Sequence, residues 1–419
     1  MREMKDSGIK WIGAIPQQWN VVKFKALFKP KSIPNSGDRE LLSVYLDRGV
    51  IRYSDSSNMQ VHKPSESLDK YQNVDIGDFV LNNQQAWRGS VGVSKYRGII
   101  SPAYLIYEMS KECFPQYMNY ALRDCYMVQQ YEYCSRGVGT IQRNVSPQWL
   151  KQALVLLPPL DEQKRIAEYL DEECSQIDGL IADIQAQIDT LEQYKRTTII
   201  NSVLRGITPA SQQKESGIDW VGKIPCHWNI HPIYYYFAQR WHKNSLGQEN
   251  NLLSLSYGRI ICKDINTTDG LLPESFNTYN IIEKDDIVLR LTDLQNDKKS
   301  LRVGIAKERG IITSAYVTLK AVKDINAVYF YYLIHAYDLM KVLYNMGGGV
   351  RQGLNYDELS KLMLIEPPID EQDTIAAYLD EKCAEIDGCI AAKKEQISTL
   401  ETYKKSVIFE YVTGKKEVV

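Results

Sequence analysis

Two polar stretches carry the residue types that proteins use to contact DNA bases and phosphates. The first holds Asn82, Asn83, Gln84, Gln85 and Arg88, and the second holds Arg290, Thr292, Gln295, Asn296, Lys298, Lys299 and Arg302. Asn and Gln pair bidentately with adenine and Arg with guanine in the major groove. Lysine suits phosphate oxygens. Both stretches are therefore candidate nucleic-acid contacts, although polar surface loops of other proteins share this composition.

Two glycine-rich segments, RGVGTIQRNV from Arg136 and GGGVRQGLNY from Gly347, are predicted to form turns. Glycine lets a backbone approach a phosphate closely, and successive N–H groups in such turns bind anions. The side chains that accompany these turns are Arg136, Thr140, Gln142, Arg143, Arg351 and Gln352. They extend the candidate DNA-contact set, which contains no catalytic and no metal-binding residue.

Enzymatic signatures are missing from the sequence. It has no GxxxxGK[ST], HExxH, GxSxG or GxGxxG motif, and neither Pro-Pro pair follows the Asn or Asp that marks amino-group methyltransferases. Cys226, His227 and His231 lie close together, but their spacing matches no zinc pattern and Pro232 interrupts any helix there. We interpret them as a loop with surface histidines.

Composition is that of an ordinary protein with 419 residues and a net charge of −2. The charge is uneven: residues 1–160 carry +6, residues 161–205 carry −5, residues 206–369 carry +1 and residues 370–419 carry −4. Acidic segments repel phosphate and suit protein partners, so nucleic acid should meet the other parts. The eight scattered cysteines and the absence of a long apolar run predict a cytoplasmic protein that does not enter a membrane.

Residues 158–178 and 367–387 are two copies of one stretch, with 14 of 21 positions identical at a shift of 209. In each copy Pro-Pro ends a strand, Asp161 or Asp370 is placed as the N-cap, and Glu162 or Glu371 lies in the first helical turn. Apolar residues then recur at steps of three and four, which is typical of a coiled-coil seam. The seam positions are Leu170, Ile177, Ile181, Ile184, Ile188 and Leu191, then Leu379, Ile386, Ile390, Ile397 and Leu400, with Lys393 in place of the residue matching Ile184. Each helix is expected to run about 40 residues, hence roughly 60 Å, and the two are expected to bury each other.

A second repeat has the same shift, because SGIKWIGAIPQQWN from Ser7 returns as SGIDWVGKIPCHWN from Ser216. Its tryptophans predict aromatic loops packed on the adjoining domain. Between these repeats lie weaker matches in which apolar and polar residues alternate, as is typical of short strands. Each domain also has a tyrosine-rich segment that is predicted to be helical, Tyr117–Tyr133 or Tyr329–Tyr344. The sequence thus predicts a tandem duplication with mixed α/β globular domains over 1–157 and 206–366 and helical regions over 158–205 and 367–419.

Two copies of SGIxWxGxIPxxWN, a glycine-rich turn, PPLxEQxxIAxYLD and a long helix resemble the specificity subunit of type I restriction–modification systems over nearly the whole chain. The resemblance implies an α+β fold with two target recognition domains related by pseudo-two-fold symmetry and separated by an antiparallel coiled coil. It implies that each domain reads one half of a bipartite DNA target. Different loops on the two domains then predict different half-sites.

The resemblance also implies partners. Two modification subunits would carry S-adenosylmethionine and methyl transfer, and restriction subunits would use ATP and Mg, so this chain needs no cofactor. We expect the residues that open the acidic helices to contact such subunits; they are Asp161, Glu162, Gln163, Asp370, Glu371 and Gln372. Two rival readings remain open: a stand-alone methyltransferase or nuclease, and a protein-only coiled-coil scaffold without DNA readout.

Overall fold

The computed structural model describes residues 2–35, 37, 39–56, 67–138, 142–208, 212–266, 275–294, 301–346 and 353–418. The chain forms two compact units. The first unit contains residues 1–185 and 394–419, and the second contains residues 186–393. Each unit therefore combines one globular domain with part of both long helical segments.

The first globular domain is built mostly of short antiparallel strands. They are β1 (Met4–Asp6), β2 (Ala14–Pro16), β3 (Asn20–Lys23), β4 (Phe28–Lys31), β5 (Leu42–Tyr45), β6 (Gly49–Arg52), β7 (Gln72–Val74), β8 (Phe79–Asn82), β9 (Val91–Val93), β10 (Gly98–Ile100), β11 (Tyr104–Met109), β12 (Ser135–Val138), β13 (Gln142–Val145) and β14 (Leu154–Leu157). The central sheet has the order β4-β11-β8-β9, and strand pairs β1-β2, β3-β14, β5-β6, β7-β10 and β12-β13 surround it. Strands β8 and β9 are joined by the loop that holds the first candidate DNA contacts.

Helices cover one side of this sheet. They are α1 (Phe24–Leu27), α2 (Pro115–Arg123), α3 (Cys125–Tyr133) and α4 (Pro147–Leu150). The segment predicted to be helical from Tyr117 to Tyr133 is helical but forms two helices, because the chain breaks at Asp124. That residue has an extended backbone, and its carboxylate accepts a hydrogen bond from the backbone N–H of Tyr126 at 3.0 Å. A carboxylate in this position caps a new helix, so α3 starts there.

The long helix α5 (Leu160–Arg205) follows directly. The backbone N–H groups of Glu162 and Gln163 donate to the carbonyl of Pro159, so Pro159 and not Asp161 precedes the helix. Asp161 lies in the first turn, where its charge still meets the positive end of the helix dipole. The predicted N-cap is thus wrong by two residues.

The second globular domain repeats the first in its element order. Its strands are β15 (Gln213–Glu215), β16 (Lys223–Pro225), β17 (Asn229–Pro232), β18 (Phe237–Gln239), β19 (Leu252–Ser256), β20 (Arg259–Lys263), β21 (Asn280–Ile282), β22 (Ile287–Leu289), β23 (Val303–Ile305), β24 (Gly310–Ile312), β25 (Val317–Ala321) and β26 (Met363–Glu366). Its sheets have the orders β18-β25-β22-β23 and β20-β19-β24-β21, with the pairs β15-β16 and β17-β26. The first of these sheets matches β4-β11-β8-β9, as the repeat predicts.

Its helices are α6 (Ile233–Tyr236), α7 (Ala327–Leu339) and α8 (Tyr356–Leu359), and the long helix α9 (Ile369–Val412) ends the fold. Helix α7 replaces α2 and ends before Lys341, which adopts a left-handed backbone with φ of 65°. As in the first copy, the N-cap placed at Asp370 is wrong, because the backbone N–H groups of Glu371 and Gln372 donate to the carbonyl of Pro368.

Within each unit, α5 and α9 run antiparallel. In the first unit the ammonium group of Lys404 contacts Asp178 at 2.6 Å, and the Tyr169 and Tyr411 rings lie 4.4 Å apart. In the second unit Lys195 contacts Asp387 at 2.7 Å, which is the same pair displaced by 209 residues. The seam positions are buried or half-buried throughout. Lys393 is half-buried, and its ammonium group donates to the Gln187 side chain.

The two repeated tryptophan motifs close the cores, as predicted. Trp19 and Trp228 are fully buried, while Trp11 and Trp220 are each 39% exposed. The core of the first unit includes Ile166 and Leu170 from α5 together with Val407, Tyr411 and Val412 from α9. The long helices therefore contribute directly to the cores of the globular domains. The α+β class with two long helices is confirmed.

Candidate nucleic-acid interface

The loop between β8 and β9 is shaped by its own polar groups. The backbone N–H of Asn82 donates to the carbonyl of Ser90 at 3.0 Å, which closes the loop. The Asn82 side chain accepts from the backbone N–H of Gln84 at 3.1 Å, and the indole N–H of Trp87 donates to the Gln84 carbonyl at 3.0 Å. Gln84 is exposed and Gln85 is half-buried. Asn82 thus has a structural task, and the exposed amide is Gln84.

The loop is joined to the hairpin formed by β12 and β13. The backbone N–H of Val145 donates to the carbonyl of Asn83 at 3.1 Å. This bond brings together the two segments that the sequence analysis singled out separately, residues 82–90 and residues 136–145. The glycine-rich segment from Arg136 includes two paired strands, β12 and β13, and Thr140 between them lies outside the described residues.

A cluster of cations and aromatic rings occupies the surface where loop and hairpin meet. The guanidinium carbon of Arg88 lies 5.4 Å from the centre of the Trp87 ring, and that of Arg143 lies 4.9 Å from it. Arg143 also forms an ion pair of 2.8 Å with Glu132. Such cation–π contacts are worth about 0.5–1 kcal/mol at exposed sites. They restrict the conformations of both arginines.

A second pair lies on the same hairpin. The guanidinium carbon of Arg136 is 4.1 Å from the centre of the Trp149 ring, and Trp149 is 41% exposed. Arg136 itself is exposed. The sequence analysis identified Arg136 and Arg143 as candidates but missed Trp87, Trp149 and Glu132. A tryptophan next to arginine in a polar stretch was the available signal for Trp87; Trp149 and Glu132 are recognisable only from the fold.

The corresponding loop of the second domain has the same closure. The backbone N–H of Arg290 donates to the carbonyl of Arg302 at 2.9 Å, as Asn82 does to Ser90. Arg290 is half-buried and Thr292 is exposed at the start of the loop. The other predicted contacts lie outside the described residues; they are Gln295, Asn296, Lys298, Lys299, Arg351 and Gln352.

The prediction that Arg302 contacts DNA is wrong, because its side chain is fully buried. Its guanidinium donates to the carbonyl of Thr292 at 2.6 Å and to that of Asp293 at 3.0 Å. It also donates to the Tyr344 hydroxyl at 3.0 Å. A buried charge is tolerated only when it is hydrogen-bonded in this way. Arg302 therefore organises the loop from inside.

The DEQ residues at the start of α5 hold the globular domain onto the helix. Gln163 is fully buried. Its side-chain oxygen accepts a hydrogen bond from the backbone N–H of Phe114 at 2.7 Å. Its side-chain NH2 group donates to the backbone carbonyls of Glu112 and Pro158, each at 2.9 Å. Glu162 is buried as well. Its carboxylate pairs with the guanidinium of Arg2 and accepts a bond from the side chain of Gln18 at 3.0 Å.

The second copy repeats this clamp. Gln372 is 2% exposed, accepts from the Asn326 backbone at 3.0 Å and donates to the carbonyl of Pro367 at 2.9 Å. The prediction that Glu162, Gln163 and Gln372 bind partner subunits is therefore contradicted by their burial. Asp161 and Asp370 are exposed and Glu371 is half-exposed, so for these three the prediction stands as a prediction.

The histidines of the second domain are engaged in separate contacts. His227 hydrogen-bonds Glu371 at 2.6 Å, while the His231 ring stacks on Tyr235 at 4.2 Å. Among the described residues, no three His, Cys, Asp or Glu side chains converge as metal ligands. Within the same part of the chain, no helix is long and apolar enough to span a membrane.

Comparisons with known proteins find similarity to one group of proteins. Residues 258–402 match the family model described as the type I restriction modification DNA specificity domain. A putative type I restriction enzyme specificity subunit (MjaX) of Methanocaldococcus jannaschii is 25% identical, over 97% of this chain and 96% of that protein. The MjaVIII specificity subunit of the same organism is 24% identical over 96% and 94%. The chain is thus similar over nearly its whole length to type I restriction enzyme specificity subunits.

Solved structures with the same fold are also known. A chain from a study of complex assembly and conformational transition in a type I R-M system aligns with a TM-score of 0.70, covering 96% of this chain and 99% of that one at 14% identity. The HsdS subunit of Thermoanaerobacter tengcongensis gives a TM-score of 0.50, covering 96% and 98% at 15% identity. At these identities the likeness concerns the fold alone.

Proposed function

We propose that this chain is a type I specificity subunit that binds double-stranded DNA and reads a bipartite, asymmetric target, with one half-site for each globular domain. The observation that carries the proposal is the pair of loops closed by the same backbone bond, Asn82 to Ser90 and Arg290 to Arg302. The frame is common, whereas the loop lengths and side chains differ. Two different reading loops on one framework suit two different half-sites.

The charge distribution supports DNA binding by the globular domains. Residues 1–160 carry +6, and Arg88 and Arg136 are exposed beside aromatic rings. Arginine on such a surface contacts phosphates and base edges. The helical segments carry −5 and −4, which disfavours phosphate. We assign them to protein contacts with two modification subunits and with restriction subunits.

The antiparallel helices are proposed to set the spacing between half-sites. Half-sites read from one face of B-DNA lie about 34–36 Å apart, and helices of 46 and 44 residues span roughly 65–70 Å. The chain itself is proposed to be non-catalytic and cytoplasmic. S-adenosylmethionine, ATP and Mg belong to its partners in this proposal.

The decisive experiment combines binding with methylation mapping. The purified chain, alone and with a modification subunit, is titrated with duplex DNA at several salt concentrations. We expect affinity to fall steeply with salt, and methylome sequencing of a host expressing the complex to return one two-part motif. A protein-only scaffold would bind the modification subunit but no duplex at any salt concentration. S-adenosylmethionine binding by the isolated chain would favour a stand-alone methyltransferase.

A further inference from the structure

Two arginines of the β12–β13 hairpin lie against tryptophan rings but differ in charge environment. Arg143 lies against Trp87 and is ion-paired to Glu132 at 2.8 Å. Arg136 lies against Trp149, and no ion pair joins it to any residue that the structure describes. The side chain of Arg143 is 27% exposed, and Arg136 is an exposed residue. The same chemical group is thus presented in two ways on one hairpin.

A neighbouring carboxylate changes what an arginine does best. Glu132 offsets the positive charge of Arg143, so the attraction of that arginine for a phosphate is weakened. The carboxylate and the indole ring also limit the rotation of the guanidinium. Its planar fork of N–H donors is pre-organised for bidentate bonds, and the bidentate partner of arginine in the major groove is guanine through O6 and N7.

Resting on the proposed function, we propose that Arg143 reads a guanine in the half-site of the first domain. Trp87 and Glu132 are its positioning residues. Arg136, which keeps its full charge beside Trp149, contacts a phosphate. The backbone bond from Val145 to Asn83 makes loop and hairpin one reading element, so a change in the loop also displaces Arg143.

The roles of Arg143 and Arg136 can be distinguished by measuring DNA binding and base discrimination in the complex of this chain with modification subunits. Arg143→Gln is expected to lower discrimination for guanine at one position by roughly 10- to 100-fold, with the other half-site unchanged. Arg136→Gln is expected to weaken binding to all sequences equally and to reduce the slope of log affinity against log salt by about one. Retained overall affinity in Arg143→Gln, and retained guanine discrimination in Arg136→Gln, show that the first domain is folded in each variant.

The positioning residues give a sharper test. Glu132→Gln is expected to reduce guanine discrimination while strengthening binding to unrelated duplexes, because Arg143 then keeps its full charge. Trp87→Leu is expected to reduce discrimination at the same position as Arg143→Gln, and Trp87→Phe to retain most of it. Trp149→Leu is the matched control and should leave discrimination at that position unchanged.

Several results would overturn the assignment. A first half-site without guanine, or an unchanged motif in Arg143→Gln, would exclude Arg143 as the reader. If Trp87→Leu weakened binding to all sequences equally and left guanine discrimination unchanged, Trp87 would have only a structural role. Failure of the unsubstituted complex to bind any duplex would instead contradict the proposed function itself.

Discussion

The loops that follow β8 and β22 are closed by the same backbone bond, yet their interiors are organised in opposite ways. In the first domain the arginines lie outside, against Trp87, and the loop is tied to a neighbouring hairpin. In the second domain Arg302 lies inside and binds the loop carbonyls itself. Arg302 occupies the position that Ser90 has in the first copy.

This difference shows how a duplicated domain changes its loops without changing its frame. The strands on either side of the loop need only keep their backbone hydrogen bonds. Each loop is then stabilised by its own set of side-chain contacts. A polar residue type in a loop therefore does not tell which side of the loop it faces. Whether the side chain faces solvent or the loop interior depends on which residues pack around it.

Exchange of the first loop tests the comparison most severely. Replacing Asn82–Ser90 with the residues of a different loop should change one half-site of the methylated motif and leave the other intact. The reason is that each loop depends on supports within its own domain. Methylome sequencing of cells expressing the variant complex measures this directly. A changed spacer with both half-sites intact would contradict the proposed division of labour.

Arg302 and Arg88 form the next test, because one is buried and the other exposed. Arg302→Met leaves the carbonyls of Thr292 and Asp293 without their donor, which should destabilise the second domain by about 3–5 kcal/mol. Arg88→Met should cost less than about 0.5 kcal/mol. Hydrogen exchange resolved by peptide compares the two domains in the same molecule. Equal effects of the two substitutions would refute the buried role of Arg302.

The pH dependence should also separate the domains. His335 of α7 is buried, and burial together with nearby Lys195 lowers its pKa to about 4 from 6.5. The unfolded chain then binds more protons between these values, so the second domain loses stability as pH falls from 6.5 to 4, by about 3 kcal/mol. The matching residue of the first domain is Arg123, which stays charged throughout this range.

The first domain should respond in the opposite direction. Burial raises the pKa of Asp124 to about 6 from 3.8, so its folded state binds the proton more tightly. Its stability should therefore rise as pH falls from 6 to 4, again by about 3 kcal/mol. Unfolding followed by peptide-resolved exchange, corrected for intrinsic pH effects, measures both trends. His335→Gln and Asp124→Asn should each remove one trend, whereas His242→Gln at an exposed position should remove neither.

The clamp glutamines should show the smallest and most equal effects. Gln163→Leu and Gln372→Leu each leave buried backbone groups unpaired, at a cost of about 2 kcal/mol per domain. Chemical denaturation of each variant gives this free energy of unfolding. Asp161→Ala and Asp370→Ala are the matched controls on the same helical turns, and should cost less than about 1 kcal/mol. A large loss from either control would show that the first turn depends on charge rather than on the clamp.

Much of the fold was predictable from repetition. A shift of 209 residues predicted the paired domains, and the seam of apolar residues predicted both long helices, because burial follows periodicity when the helix is long. The break at Asp124 was not predicted. The tyrosine-rich pattern continues through it, and the extended backbone of Asp124 with its capping bond to Tyr126 is recognisable only from the structure.

The candidate site was predicted less completely. Exposed residues such as Arg88, Arg136 and Thr292 lie where a ligand can reach them. Arg302, Glu162, Gln163 and Gln372 are polar as well, but the fold buries them. Composition identifies a polar group, whereas only the fold identifies whether its hydrogen bonds are already satisfied.

The first unit is made of two separated stretches of chain, and this has a consequence for its synthesis. Lys415 donates to the carbonyls of Ile12 and Ala14, and Tyr411 and Val412 belong to the core that holds Trp19. The second unit is continuous in sequence. A ribosome therefore releases everything the second unit needs before the first unit can complete its core. The first domain is synthesised first, but part of its apolar surface stays exposed until the last turns of α9 have left the ribosome.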